Sequence, residues 1–98
     1  MNTKYNLEEI LKTSDAVIVD VRTVGEFMGG HVSGSINIPL DEIPAQIEKL
    51  KSLNPPLVMC CASGNRSGQA VNFLSQVGIE SVNGGSWLDV NYFKNQTV

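Results

Sequence analysis

The chain has 98 residues, 42% of them hydrophobic, and a formal net charge of −3. This length and this apolar fraction predict a single globular domain over residues 1–98, with its own hydrophobic core. The charged residues are scattered along the chain, which excludes an electrostatic case for nucleic acid or an anionic membrane as a partner.

The first third of the chain predicts two short helices, each beginning with a capping box. In a capping box the first and fourth residues each accept a hydrogen bond from the other's backbone N–H. The two boxes run from Asn6 to Glu9 and from Thr23 to Glu26, and the second helix is expected to end near residues 29–30.

Four short runs that are rich in apolar residues predict strands, because they are too short for helices and are bounded by turn-forming residues. These runs are residues 16–19, 35–38, 57–60 and 79–82. Residues 83–85, which follow the last run, predict a turn.

Apolar residues at helical spacing predict three further helices between and after these strands. They cover residues 40–50, 67–77 and 88–93. Pro44 is compatible with the first of these helices only if it lies in the first turn, and Gly78 is a natural residue to end the second.

Strands that alternate with helices predict a three-layer α/β domain, with a central, mostly parallel sheet flanked by helices. Ligands bind beyond the carboxyl ends of the strands in such sheets. Asp20, Cys61 and the glycine pair at 84–85 follow predicted strands. We therefore expect them to lie near one another on a single rim.

The most informative segment is the loop between the third strand and the next helix, Cys61-Ala62-Ser63-Gly64-Asn65-Arg66. A thiol at the end of a strand faces the N–H groups of the loop and the N-terminus of the helix. Both favour the thiolate, which is the nucleophilic form. The loop therefore predicts a reactive Cys61, and the alternative is a buried structural cysteine.

Six sequence blocks follow one another along the chain: Asp20-Val21-Arg22, Glu26-Phe27, Gly30-His31-Val32, Gly34-Ser35-Ile36-Asn37-Ile38-Pro39, Cys61-Ala62-Ser63-Gly64-Asn65-Arg66-Ser67 and Gly84-Gly85. In this order and at this spacing the blocks resemble a single-domain rhodanese over residues 5–90. The resemblance implies a sulfurtransferase with a small α/β fold. It also implies that no metal or organic cofactor is used.

The resemblance further implies a mechanism with Cys61 as the catalytic residue. The family's thiolate attacks the outer sulfur of a sulfane donor such as thiosulfate, releases sulfite and becomes a persulfide. Cyanide or a thiol then takes the sulfur. A thioredoxin-like protein is one candidate acceptor.

The other residues of the loop are predicted to shape it. Gly64 supplies a positive-φ or closely approached backbone position. Ala62 and Ser63 contribute mainly N–H groups, and whether the Ser63 hydroxyl also contacts the sulfur donor is open. Asn65 either caps the helix or braces the loop, and we favour the brace.

Two roles are open for each of the residues at the end of the loop, Arg66 and Ser67. Arg66 either orients an anionic sulfur donor and helps to hold the Cys61 thiolate, or forms a structural salt bridge, with Asp20 as a candidate partner. Ser67 either caps the following helix or donates a hydrogen bond to the loop.

Asp20 and Arg22 are predicted to support the site. Asp20 either pairs with Arg22 to position the active loop or contacts the N-terminus of the helix that begins after Thr23, and we favour a structural role. Arg22 is a further candidate contact for an anionic donor. We expect no catalytic role for His31, which belongs to a structural turn, or for Glu26, which caps its own helix.

Two features depart from the family's pattern. Trp87 follows Gly85 after one intervening residue, whereas the family often places a tryptophan several residues later, so the packing of the last segment is open. Cys60 precedes the catalytic position, and we expect it on the opposite face of the strand as a small core residue. The alternative, a redox partner of Cys61, would require a strained disulfide.

Two rival functions are weighed against sulfur transfer. Phosphatases and arsenate reductases use a related loop with five residues between cysteine and arginine, and this chain has four. A non-enzymatic role as a persulfide carrier or a partner-binding module is compatible with a retained cysteine.

The location is predicted to be cytoplasmic. No segment approaches the roughly 20 consecutive apolar residues that cross a bilayer, and the N-terminus lacks the apolar core of a secretory signal. The two cysteines are adjacent, so they form no disulfide framework and fit a reducing compartment.

Overall fold

The computed structural model describes residues 7–12 and 16–95, so the predicted cap at Asn6 lies outside the described residues. Helices and strands alternate along the described chain. The elements are α1 (Leu7–Lys12), β1 (Val17–Asp20), α2 (Val24–Met28), β2 (Ile36–Asn37), a 3-10 helix (Leu40–Gln46), α3 (Ile47–Lys51), β3 (Leu57–Cys61), α4 (Asn65–Gln76), β4 (Ser81–Ser86) and α5 (Trp87–Lys94).

The four strands of the described residues form one parallel sheet in the order β2-β1-β3-β4. The predicted α/β fold with a parallel sheet is therefore confirmed. β3 is buried at every position and pairs with β1 on one side and β4 on the other. Because β3 is central, the loop that follows it begins in the middle of the rim.

The sheet separates two apolar cores, and successive residues of β3 alternate between them. Met59 and Cys61 pack with Leu74 of α4 on one face. Cys60 packs with Val90 of α5 on the other face. The prediction that the two cysteines point to opposite faces is confirmed.

The sequence predicts two helix termini correctly, the start of α2 and the end of α4. Thr23 and Glu26 form the reciprocal capping box at the start of α2. At the end of α4, the Gly78 N–H donates to the Ser75 carbonyl and the Ile79 N–H donates to the Leu74 carbonyl. This pair of bonds is the Schellman motif, in which a residue such as glycine ends a helix.

The helix predicted over residues 40–50 is a 3-10 helix followed by the short α3. Pro44 lies inside the 3-10 helix rather than in the first turn of an α-helix. Proline has no N–H group and its ring crowds the preceding turn. The α-helical pattern therefore begins only at Ile47, beyond the proline.

The turn predicted at residues 83–85 is wrong, because these residues belong to β4. Met59 pairs with Asn83 and Cys60 pairs with Gly85, so Gly84 is the extra residue of a β-bulge. A Cβ on Gly84 would lie 2.7 Å from Val90 Cγ2. Glycine is required there by close packing rather than by a turn.

Replacing Gly84 by alanine is expected to lower the free energy of unfolding by about 1–3 kcal/mol, because the added methyl group overpacks the core. Urea denaturation measures this loss. Gly25→Ala is the matched control, since a Cβ there meets nothing within 4 Å and alanine favours the helix. Equal stability of the two variants would contradict this account of the bulge.

Candidate active site

Cys61 is the last residue of β3, at the point where the chain leaves the sheet for the predicted active loop. The residue is 1% exposed, so it is more deeply buried than a position on an open rim would be. Its neighbours Ala62 and Ser63 are exposed. The sulfur is therefore buried beneath a loop whose outer residues face solvent.

Hydrogen bonds converge on the Cys61 sulfur. The Gly64 N–H donates to Sγ at 2.9 Å and the Ser67 N–H at 3.4 Å, and Ser67 Oγ lies 3.4 Å from the same sulfur. Burial by itself would raise the pKa of the Cys61 thiol, but hydrogen bonds from Ser67, Gly64 and Ser63 outweigh it and lower the pKa. The predicted amide-lined curl around the sulfur is present.

The curl depends on Gly64, which precedes the first residue of α4 and has a φ of 105°. Only glycine adopts this conformation without strain. A Cβ there would also lie 3.3 Å from the Cα atom of Gly85. Asn65 is the first residue of α4 and is exposed, so neither the favoured brace nor a cap before the helix describes its position.

Asn83 of β4 braces the loop, a role that the sequence does not predict. Its Nδ2 atom donates to the Gly64 carbonyl at 3.0 Å, and its Oδ1 atom accepts from Ser67 Oγ at 2.6 Å. The signal that would have found it is a polar side chain next to a glycine pair at the end of a strand. Ser67 lies within α4 rather than at its cap.

Arg66 forms a structural salt bridge, which is one of its two alternatives, but its partner is Glu26 of α2 rather than the candidate Asp20. The guanidinium donates to both carboxylate oxygens, at 2.8 and 3.0 Å. Both side chains are partly exposed, at 32% and 39%. The hydrogen bond from Arg66, with others from Thr23, lowers the pKa of Glu26 to about 2. Glu26 therefore does more than cap its own helix, because it also ties α2 to the active loop.

Asp20 and Arg22 form a buried ion pair rather than a charge pair on an exposed rim. Asp20 is 0% exposed and the Arg22 side chain 6%. The carboxylate accepts from both the backbone and the side chain of Arg22, with the shortest bond at 2.8 Å. Hydrogen bonding to Asp20 raises the pKa of Arg22. Asp20 therefore pairs with Arg22, which is the first of its two alternatives, rather than with the N-terminus of α2, which is the favoured one. The burial of the pair leaves Arg22 little access to a ligand.

Arg22 also connects α2 and the residues after it to α5, and one of its contacts is a 3.3 Å hydrogen bond to the Glu26 carbonyl of α2. Its guanidinium donates to the Gly30 carbonyl at 2.7 Å and lies 4.7 Å from the centre of a Trp87 ring, a distance within the range of cation–π attraction. Trp87 begins α5 directly after the Ser86 cap. The unusual position of this tryptophan therefore packs the last helix against the buried ion pair.

His31 and Cys60 have local partners that suit structural roles. The Nδ1 atom of His31 lies 2.8 Å from the Phe27 carbonyl, and the two rings stack 3.7 Å apart. Burial, with the charge of Asp20, raises the pKa of Cys60 to about 12. A thiol with this pKa is inert at neutral pH.

Comparisons with known proteins show the family to which the chain belongs. The model of the rhodanese-like domain family matches residues 3–88. A solved structure described as "rhodanese with anions from E. coli" is 34% identical, has a TM-score of 0.69, and covers 76% of this chain and 89% of its own.

Two curated relatives match in sequence. Thiosulfate sulfurtransferase PspE of Escherichia coli is 36% identical over 74% of this chain and 71% of its own length. An uncharacterized protein of Synechocystis, slr1261, is 38% identical over 74% of this chain, and the match spans only 40% of that protein. By the family model and these relatives, the chain belongs to the rhodanese-like domain family.

Proposed function

We propose that this domain is a sulfurtransferase that moves a sulfane sulfur from a thiosulfate-like donor to a nucleophilic acceptor, through a persulfide on Cys61. The observation that carries the proposal is the set of hydrogen bonds that converge on Cys61 Sγ, with Gly64 N at 2.9 Å. Donors arranged before the reaction stabilise charge without rearrangement. The name of the E. coli relative, thiosulfate sulfurtransferase, supports the same activity.

In the first half-reaction the Cys61 thiolate attacks the outer sulfur of thiosulfate. The sulfur–sulfur bond of the donor breaks, and sulfite leaves with the bonding pair. Cys61 is left with one additional sulfur atom, which has the negative charge. The N–H groups of Gly64 and Ser67 that favour the thiolate also favour this anion.

In the second half-reaction the acceptor attacks the outer sulfur of the persulfide. Cyanide becomes thiocyanate, and a thiolate becomes a persulfide of its own. The bond between the two sulfurs breaks, and its electron pair returns to Cys61 as the thiolate. The cycle therefore needs no metal or organic cofactor.

Arg66 has two tasks in this proposal. Its ion pair with Glu26 holds α2 against the loop, and its partly exposed guanidinium has N–H groups beyond the two that Glu26 accepts. Those groups are available to an anionic sulfur donor. A donor or an acceptor approaches over the exposed residues of the loop, which are Ala62, Ser63 and Asn65.

The spacing of the loop separates this proposal from a phosphatase or an arsenate reductase. Four residues lie between Cys61 and Arg66, and the resulting curl brings the Gly64 N–H to 2.9 Å from the sulfur. A ring this tight suits one sulfur atom better than a tetrahedral oxyanion. The spacing favours sulfur transfer over hydrolysis of a phosphate ester.

The test compares two reactions with the same protein. We expect thiocyanate from thiosulfate and cyanide, and no hydrolysis of p-nitrophenyl phosphate above the rate without protein. Phosphate release without thiocyanate would reject the proposal in favour of a phosphatase. A persulfide that forms and is not passed on would instead favour a carrier.

The acceptor and the location belong to the same proposal. We propose a thiol acceptor in the cell, with a thioredoxin-like protein as one candidate, and a cytoplasmic location. Within residues 7–12 and 16–95, no helix has both the length and the apolar character needed to cross a membrane.

A further inference from the structure

The Asn83 side chain makes three hydrogen bonds around the active loop. Its Oδ1 atom accepts from the Gly85 N–H at 2.9 Å and from Ser67 Oγ at 2.6 Å. Its Nδ2 atom donates to the Gly64 carbonyl at 3.0 Å. The amide therefore connects β4 to Gly64 and Ser67, the two residues whose N–H groups donate to the Cys61 sulfur.

These partners fix the orientation of the Asn83 amide. If the amide were turned over, its NH2 group would face the Gly85 N–H, which is also a donor. Its oxygen would then face the Gly64 carbonyl, which is also an acceptor. Neither contact can be a hydrogen bond. The atom that faces Ser67 is therefore the carbonyl oxygen, which can only accept.

It follows that the hydroxyl proton of Ser67 points at Asn83. A serine hydroxyl has one proton to donate, and the 2.6 Å contact with Asn83 Oδ1 uses it. The same Ser67 oxygen lies 3.4 Å from Cys61 Sγ. With its proton on Asn83, this oxygen can only accept from the thiol and so favours the protonated sulfur.

We propose that Asn83 is a positioning residue that competes with the Cys61 sulfur for the single proton of the Ser67 hydroxyl. The inference rests on the proposed function, in which Cys61 is the reacting group. When Cys61 is a thiol, its S–H donates to Ser67 and the Ser67 O–H donates to Asn83. When Cys61 loses its proton to solvent, the hydroxyl turns and donates to the thiolate.

The turn of the hydroxyl leaves no buried group without a partner. Asn83 Oδ1 keeps its hydrogen bond from Gly85, and the Asn83 side chain is exposed, so water can take the place that Ser67 leaves. The arrangement therefore has two hydrogen-bonded states. Asn83 stabilises the state that holds the thiol and thereby restrains the reactivity of Cys61.

Charged and titratable groups near the sulfur are not part of the competition. Arg66 of α4 interacts electrostatically with Cys61 and pairs with Glu26 of α2. On β3 the neighbouring thiol is Cys60, which is buried beside Asp20 of β1. The sequence of β4, Ser81–Ser86, contains no ionisable side chain. Substitution of Asn83 leaves all of these groups in place.

The test is a titration of the Cys61 thiolate by its ultraviolet absorbance, in a Cys60→Ala background where Cys61 is the only cysteine. Asn83→Leu keeps the branched shape of asparagine, excludes water and removes the acceptor. We expect it to lower the pKa of Cys61 by about one unit, since the freed hydroxyl becomes a hydrogen-bond donor to a charged group. In a Ser67→Ala background the same substitution is expected not to lower the pKa, because no hydroxyl is left to turn and the loss of the Asn83 bond to Gly64 adds no donor to the sulfur.

Asn72→Leu, on the exposed side of α4, controls for the change of composition and is expected to have no effect. The competition is rejected if Asn83→Leu raises the pKa of Cys61, leaves it unchanged, or lowers it equally with and without Ser67. If circular dichroism shows that Asn83→Leu is unfolded, Asn83→Ala replaces it. The comparison with and without Ser67→Ala is then repeated with the same expectation.

The titration needs no sulfur donor, so its failure is distinguishable from failure of the proposed function. A shift that depends on Ser67, in a protein that transfers no sulfur, would support the proton competition and reject the transferase. Sulfur transfer without such a shift would do the reverse.

Discussion

Replacement of Cys61 by serine is expected to reduce sulfur transfer from thiosulfate to cyanide by at least about 10³-fold, to the rate without protein. A serine hydroxyl is not ionised at neutral pH and forms no persulfide. Without a persulfide, the N–H groups of the loop have no covalent intermediate to stabilise, so the loop alone supplies no residual catalysis. Thiocyanate formation at saturating thiosulfate measures this loss.

Cys60→Ala is the matched control for this substitution. Cys60 is adjacent in sequence and equally buried, but it packs against the opposite core. Alanine adds no polar group there, so we expect the variant to retain most of the transfer rate. Loss of transfer in Cys60→Ala, with retention in Cys61→Ser, would show that Cys60 is the reacting group and would contradict the proposal.

The Arg22→Met variant is expected to lose roughly 3–5 kcal/mol of the free energy of unfolding, because it leaves the buried Asp20 carboxylate without its partner. Asp20 is 0% exposed. The variant also loses the hydrogen bond to the Gly30 carbonyl and the contact with Trp87. Urea denaturation followed by circular dichroism measures the loss.

Arg66→Met is the control, because it breaks an ion pair between partly exposed side chains. Arg66 is 32% exposed and Glu26 39%, and solvent screens such pairs. We expect a far smaller loss of stability than in Arg22→Met. Equal losses in the two variants would contradict the distinction between the buried Asp20–Arg22 pair and the partly exposed Arg66–Glu26 pair.

The sequence predicts much of the fold because its strongest signals are local. The apolar run that ends at Asp20 and the run that begins at Leu57 each form a strand as expected. The capping box at Thr23 depends on two residues three positions apart. Such features need no knowledge of distant packing.

The failures concern features that distant packing decides. Residues 83–85 have the composition of a turn, but Gly84 is required because Val90 approaches from α5. Arg66 finds Glu26, 40 positions away in the sequence, rather than Asp20. The sequence indicates that Asp20 and the loop that ends at Arg66 lie near the same rim, and it offers Arg22 as one partner of Asp20. It does not indicate that Asp20 is buried with Arg22 and so is closed to Arg66.

The central claim is that Cys61 holds the transferred sulfur atom. Mass spectrometry of the intact protein after treatment with thiosulfate, without an acceptor, tests this claim most directly. We expect a gain of one sulfur atom that is removed by cyanide, is present in Cys60→Ala and is absent in Cys61→Ser. No gain of mass, or a gain that survives in Cys61→Ser, would contradict the account.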